Sequence, residues 1–202
     1  MKELLLATRN RKKLLELKRL LRGLNIRILS LDRFKGFPDV KEDKDTFREN
    51  AIKKSTEISK RTNMLVISDD SGLEVQSLNN APGVKSARYA GASQNDDKNI
   101  AKLLKAMKCF KGKERKACFR TSICLSRYGK VIKVVSGRVD GKIAEQSSGV
   151  SGFGYDPVFI PRNFEKTFAL MSSKEKDRIS HRAVALNKAK GVILEYFRRY
   201  PL

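Results

Sequence analysis

The chain opens on an apolar run within Lys2–Ala7, Leu4-Leu-Leu-Ala7, bounded by Thr8 and Asn10, which is the pattern of a buried strand. Asn10 stands where it can cap a following helix, in which Leu14, Leu17, Leu20 and Leu21 recur at helical spacing; Gly23 ends it. Ile26–Leu29 predicts a second strand, and the charged stretch Asp32–Asp45, with Gly36 and Pro38, reads as loop. Thr46-Phe-Arg-Glu49 has capping-box spacing, so a second helix should run from about Phe47 to Lys60. Met64–Ser68 reads as a buried strand that ends at the turn-like Asp69-Asp70-Ser71-Gly72. Asn79–Gly83 is turn-rich, and Asp96 to about Cys109 predicts a third helix. Phe119–Ser126 and Lys130–Asp140 alternate as strands across Arg127-Tyr128-Gly129, a hairpin. Ile143–Phe159 is glycine-rich and irregular, with a short strand at Pro157–Ile160, and Ser180 caps a last helix through about Phe197. Strands that alternate with helices, together with strands that pair as hairpins, predict an α/β chain with a mixed sheet.

Composition narrows the class. At 202 residues the chain can bury a full core as a single domain, 1–202, or as two closely packed lobes. No apolar run has membrane-spanning length, and Leu4–Ala7 is too short for a signal-peptide core. Cys109, Cys118 and Cys124 show neither metal-ligand spacing nor an even-numbered disulfide framework, which fits a reduced, cytoplasmic protein. Lys+Arg 44 against Asp+Glu 22 gives a net charge of +22, a field that attracts polyanions. The basic residues are spread along the chain, and no run interleaves them with stacking aromatics as single-strand binding surfaces require.

Three segments carry candidate chemistry. The strand leading into Thr8, Arg9, Asn10, Arg11, Lys12 and Lys13 sets backbone N–H groups, a hydroxyl and cations at a helix N-terminus, a site that favours phosphate oxygens. It lacks the glycines of a Walker loop or a dinucleotide fingerprint. Asp69 and Asp70 lie at a strand end, where at most one carboxylate is expected to face inward. One or two carboxylates suffice for Mg²⁺ when substrate phosphates complete its shell, and Glu42 or Glu49 can supply the second. Gly152-Phe-Gly-Tyr-Asp-Pro157 can wrap a flat ring, while His181, the single histidine, stands beside Arg182 with Lys176 nearby. Together these suggest a pocket for a planar, anionic small molecule such as a nucleotide.

The residues resemble the inosine/xanthosine triphosphate pyrophosphatase family. The matching segments are 6–13, 46–51, 68–73, 82–89, 149–157 and 176–182, in the family's order and with similar spacing across nearly the whole chain. The resemblance implies a long twisted mixed sheet flanked by helices, in two lobes with a nucleotide-binding cleft between them. It implies a homodimer and Mg²⁺-dependent attack of water on the α-phosphorus of deaminated purine triphosphates (ITP, dITP, XTP). By position, Thr8, Asn10 and Lys13, with Lys54, would hold phosphates. Asp70 would be general base and metal ligand, with Glu42 and Asp69 as metal or water-positioning groups and Ser71 touching substrate. Phe153, Gly154, Tyr155, Asp156, Lys176, His181 and Arg182 would form the purine pocket.

The chain departs from the family pattern in three places: Leu170 where an acid is usual, Ser147-Ser148 where Pro-Arg is common, and Arg9 for a small residue. Three other readings compete: a nucleic-acid-binding protein that uses the basic surface, a pyrophosphatase for other modified nucleotides such as methylated pyrimidine triphosphates, and, given Leu170, a catalytically inactive relative.

Overall fold

The computed structural model describes residues 2–34, 36–37 and 39–200. Six strands, β1 (Glu3–Leu6), β2 (Arg27–Ser30), β3 (Leu65–Val75), β4 (Lys116–Arg127), β5 (Lys130–Ile143) and β6 (Phe159–Pro161), form one sheet in the order β2-β1-β3-β4-β5-β6. It is mixed, as expected: β1 runs parallel to both β2 (Leu5↔Leu29) and β3 (Leu5↔Val66), whereas β5 and β6 are antiparallel (Lys142↔Ile160). Five helices accompany it among the described residues: α1 (Arg11–Leu20), α2 (Phe47–Ser59), α3 (Asp96–Ala106), α4 (Ser173–Ile179) and α5 (His181–Arg199). Pro38, part of the expected loop, lies outside the described residues.

The chain divides into two compact units: Met1–Asp70, Thr121–Gly137 and Arg182–Leu202 make the first, Ser71–Arg120 and Arg138–His181 the second. Strands β3, β4 and β5 each contribute residues to both.

In the first unit β1 is covered on both faces, which explains its uninterrupted leucines. Leu4 and Leu6 pack with Leu14 and Leu17 of α1 and with Ala185, Leu186 and Ala189 of α5. Leu5 faces the other way, with Leu29, Ile58 and Val66. The alanines of α5 recur at helical spacing, so the helix presents a narrow, smooth stripe to the sheet. Asn10 and Thr46 cap α1 and α2 as predicted, accepting from Lys13 N (3.1 Å) and Glu49 N (3.1 Å).

The second unit is built on Leu73, Val75, Phe119, Phe159 and Phe168, packed against Leu103 and Met107 at the end of α3. Arg115 is buried there. Its guanidinium donates to the carbonyls of Met107, Phe110, Ile143 and Ala144 at 2.7–3.0 Å, which ties the end of α3 to the end of β5.

One expectation changes, and one unassigned segment gains structure. β3 does not stop at Ser68 but continues through Asp69-Asp70-Ser71-Gly72 to Val75. Leu73 and Val75 are fully buried, and their burial outweighs the turn-forming composition before them. The charged segment before Ser180 forms α4, started by a capping box between Ser172 and Glu175.

Candidate functional site

Within the first unit, the loop after β1 is fixed by short bonds. Ala7 N donates to Ile67 O (2.8 Å), and the buried Thr8 hydroxyl accepts from Asn10 N (3.2 Å). The first turn of α1 contains no acidic residue but does contain Arg11, Lys12 and Lys13, so nothing in the turn opposes an anion at its N–H groups. Arg11 and Lys12 are exposed. Arg9 turns to Asp39 (2.8 Å) and the Phe37 carbonyl.

Asp69 and Asp70 are both buried, at 1% and 5% exposure, not one in and one out. Alternation along β3 still separates their partners. Asp69 Oδ2 meets Lys13 Nζ at 3.2 Å and Arg182 Nε at 3.3 Å. Burial alone would raise the Asp69 pKa, but Lys13, Arg182 and Lys54 together hold it well below the usual carboxylate range. Asp70 behaves oppositely. Burial and then the charge of Glu42 push it up to about 6, against the pull of Lys13, Lys54 and a hydrogen bond from the Asn50 side chain. Two adjacent carboxylates are thus set apart by environment, one firmly ionised and one poised near neutrality.

Lys54, projecting from α2, pairs with Glu42. Burial disfavours its charge, yet Glu42, Asp69 and Asp70 raise its pKa overall. Arg182, the second residue of α5, donates through Nη1 to Glu16 Oε2 at 2.5 Å as well as to Asp69. It therefore groups with the acidic strand. In this set the carboxylates Glu16, Glu42, Asp69 and Asp70 outnumber the cations Lys13, Lys54 and Arg182.

The second unit holds the glycine loop. Gly152 has φ +81°, and a Cβ there would fall 2.0 Å from Asp156 Oδ2, so glycine is required. That oxygen accepts from Phe153 N (2.9 Å) and Lys176 Nζ (2.5 Å), while Gly154 N donates to Asp96 Oδ2 (2.9 Å). Lys176 Nζ lies 5.2 Å from the centre of the half-buried Phe153 ring. Tyr155 is buried and directs its hydroxyl inward to Ser86 O (2.9 Å). Burial, then Tyr89 and Asp96, push its phenol well above the ordinary range. The His181 imidazole stacks on Phe119, with centroids 4.8 Å apart and planes 11° apart. Ser71 is half-buried in β3.

The departures from the family pattern leave this loop tied down. Ser148 N donates to Pro157 O (2.8 Å), and Thr167 Oγ1 donates to Ser148 O (2.6 Å). Leu170 is half exposed. A recess of about 660 Å³ in the second unit, lined by Glu74, Cys118, Arg120, Arg138 and Arg162 among others, contains none of the expected site residues.

Sequence reading missed four supporting residues. Glu16 falls on the apolar face of α1 between Leu14 and Leu17, and a charge in a buried stripe was the available sign. Asn50 clips Lys44 through both its backbone groups (2.9 and 3.2 Å) while reaching Asp70. Asp96 doubles as an anchor for the glycine loop, and Ser86 receives Tyr155 while donating nothing to it.

The sequence profile of the Ham1 family matches residues 4–192. A dITP/XTP pyrophosphatase of Bacillus licheniformis is 44% identical over 193 residues, covering 96% of this chain and 98% of that protein. One of Clostridium perfringens is 47% identical over 197 residues, covering 94% and 96%. Among solved structures, a HAM1 protein from Coxiella burnetii superposes with a TM-score of 0.87 at 38% identity, over 96% of this chain and all of that one. The Staphylococcus aureus Ham1 protein gives 0.85 at the same identity and coverage.

Proposed function

This chain is a member of the Ham1 family, and on that premise we propose that it hydrolyses deaminated purine nucleoside triphosphates (ITP, dITP, XTP) to the monophosphate and pyrophosphate. The observation that carries the reading is the contrast on β3, where Asp69, paired with two cations, adjoins a buried Asp70 whose ionisation is opposed by burial and by Glu42.

The residues fit a hard divalent cation. Glu42 and Asp70 are oxygen donors in a cluster with an excess of carboxylate, and a divalent cation there would relieve the Glu42 repulsion that, after burial, raises Asp70. Two carboxylates suffice for such an ion when water and phosphate supply its remaining ligands. When bound, Mg²⁺ would neutralise phosphate charge and lower the pKa of the attacking water.

The chain's own groups do the rest. Asp70 accepts the proton of the water that attacks the α-phosphorus, as a positioned carboxylate beside the cation can. Lys13 and Lys54 hold the triphosphate, since an ammonium has three donors and one carboxylate does not exhaust them. Thr8, Asn10 and the N–H groups opening α1 take the remaining oxygens, with Arg9, Arg11 and Lys12 adding positive field. Asp69 positions Lys13 and Arg182.

In the second unit Phe153 offers its ring to the base, with Gly154, Tyr155 and Asp156 shaping the loop and Lys176 and His181 its polar side. Hypoxanthine and xanthine present O6 as an acceptor and N1 as a donor, whereas adenine reverses both, so donors set for O6 reject ATP. The sequence resemblance further supports residues 1–202 acting as one domain and a homodimer, and three cysteines without a disulfide framework support a cytoplasmic location. No helix among the described residues is long and apolar enough to cross a membrane.

The test is a phosphate assay with ITP, XTP, GTP and ATP, with and without Mg²⁺ and with and without added inorganic pyrophosphatase. Phosphate from ITP and XTP that appears only with both additions is the expected result. Equal release from ATP would overturn the base assignment, and release without pyrophosphatase would overturn α–β cleavage.

A further inference from the structure

Single-strand binding needs aromatic rings interleaved with cations, and no segment of the sequence supplies them. The first unit assembles them from two distant segments. A groove of about 630 Å³ runs between the β4–β5 turn and the end of α5, lined by Arg127, Tyr128 and Lys133 from the hairpin and Tyr196, Arg199 and Tyr200 from the helix side. Glu195 is the one acidic residue in its lining.

The rings and guanidinium groups already lie close to one another. The Arg127 guanidinium lies 4.7 Å from the Tyr128 ring centre and 5.8 Å from that of Tyr196, and it donates to the Tyr196 hydroxyl. Arg199 lies 5.8 Å from the Tyr200 ring, and Tyr196 and Tyr200 are 5.0 Å apart. Tyr128 and Tyr200 remain 57% and 49% exposed, leaving ring surface for another flat group. Five of the nine exposed large apolar side chains among the described residues, Tyr128, Val131, Ile132, Leu194 and Tyr200, belong to this hairpin and the last turns of the chain.

The turn that presents Tyr128 is unusual and rigid. Tyr128 and Gly129 both have positive φ, 51° and 74°, in a two-residue hairpin turn where asparagine or glycine is the unstrained choice at the first position. The tip is pinned to the end of α2: Gly129 N donates to Ser59 Oγ (3.0 Å), and Ser126 Oγ meets Ser59 Oγ (2.9 Å) and Ser55 Oγ (2.5 Å). An aromatic residue held in a strained backbone state on a preorganised, positively charged face points to a ligand with both rings and negative charge.

We propose that this groove is a sequence-tolerant binding surface for single-stranded nucleic acid, with bases stacking on Tyr128 and Tyr200 and the backbone following Arg127, Lys133 and Arg199. The net charge of +22 supplies long-range attraction, and the groove supplies the stacking. None of its residues is assigned above to phosphate, metal or base, so the surface is an addition to hydrolysis.

The experiment is fluorescence anisotropy of a labelled fifteen-nucleotide oligo(dT) and oligo(U) across a KCl series, on the intact protein. The variant is Tyr128→Asn with Tyr200→Ala; asparagine tolerates the turn conformation, so folding is kept. It should bind oligonucleotide about tenfold or more weakly, the loss expected for a stacked base, while ITP turnover is unchanged. Inorganic polyphosphate, which has charge but no rings, should bind both proteins equally. Lys133→Gln should reduce the slope of log affinity against log salt by about 0.7. Unchanged oligonucleotide affinity in the double variant would overturn the proposal and assign any binding to diffuse charge. A change in sedimenting mass in that variant would also overturn it, making the groove a contact between copies of the chain.

Discussion

In the first unit, seven buried or half-buried ionisable groups gather around β3 with carboxylate in excess, whereas the glycine loop of the second unit is organised around one ion pair and several rings. Asp156 is matched by Lys176 and by the Phe153 N–H, so little of its charge is left for a ligand. Asp70 has burial and Glu42 working against its ionisation. The first region is therefore built to take up charge and the second to present shape. Removing Asp70 and removing Asp156 should therefore differ in sign as well as size, because burial and a like charge oppose the ionisation of the first, while removing half of a matched pair strands the other half.

Asp70→Asn is the largest test. Turnover should fall by about 10²–10⁴, the range for loss of a general base. The metal-free fold should become more stable. With the folded pKa raised to about 6 from an ordinary 3.8, ionising Asp70 costs the native state up to about 3 kcal/mol above pH 6 and nothing below the unfolded value. Thermal melts should thus show the variant above wild type at pH 8 and converging with it near pH 4, and Mg²⁺ should stabilise only the wild type. Its neighbour must do the reverse. Asp69 is held low, so its contribution is present at neutral pH and lost on acidification; Asp69→Asn should cost about 3 kcal/mol at pH 7 and progressively less as pH falls below 4.

In the second unit Asp156→Ala leaves Lys176 buried without its carboxylate and the Phe153 N–H without an acceptor. The expected loss is about 3–5 kcal/mol by chemical denaturation. The double variant Asp156→Asn, Lys176→Met should regain most of it, because it removes both charges and keeps an acceptor. If Asp156→Ala melted like wild type, the loop would not depend on the pair, and the contrast between the regions would collapse.

Much of this contrast was written in the chain, but unevenly. Leu4-Leu-Leu-Ala7, the α1 leucines and the Asn10 and Thr46 caps were legible because burial and capping act over a few residues. The continuation of β3 was not, since Asp69-Asp70-Ser71-Gly72 has turn composition and only the later burial of Leu73 and Val75 decides the matter. The inward hydroxyl of Tyr155 was illegible for another reason: its acceptor, Ser86 O, is 69 residues away, and a glycine-aromatic loop looks alike whether its ring is packed or presented. Arg182 was placed with His181 by adjacency, yet the first residues of a helix point in different directions, and it pairs with Glu16 and Asp69.

Lys13→Ala should act by substrate binding. It removes an ammonium from the phosphate side and one of the cations on Asp69, leaving Arg182 in place, so KM should rise about tenfold with a smaller change in kcat. An unchanged KM would move phosphate binding to Lys54 and the α1 N-terminus.

The smallest effect separates two roles of one residue. His181 packs flat on Phe119, so His181→Ala removes both a ring from the second unit's core and a polar edge. His181→Phe keeps the stack and removes only the nitrogens. If the imidazole reads the base, His181→Phe should retain the melting temperature within a few degrees and lose several-fold in the ratio of kcat/KM for ITP over ATP, since a donor to O6 is gone. If the residue serves packing alone, His181→Phe keeps the ratio and only His181→Ala is impaired, through stability. That outcome would leave Phe153 and the backbone of the glycine loop to choose the base, and would make the second unit a site of shape with no side-chain reading at all.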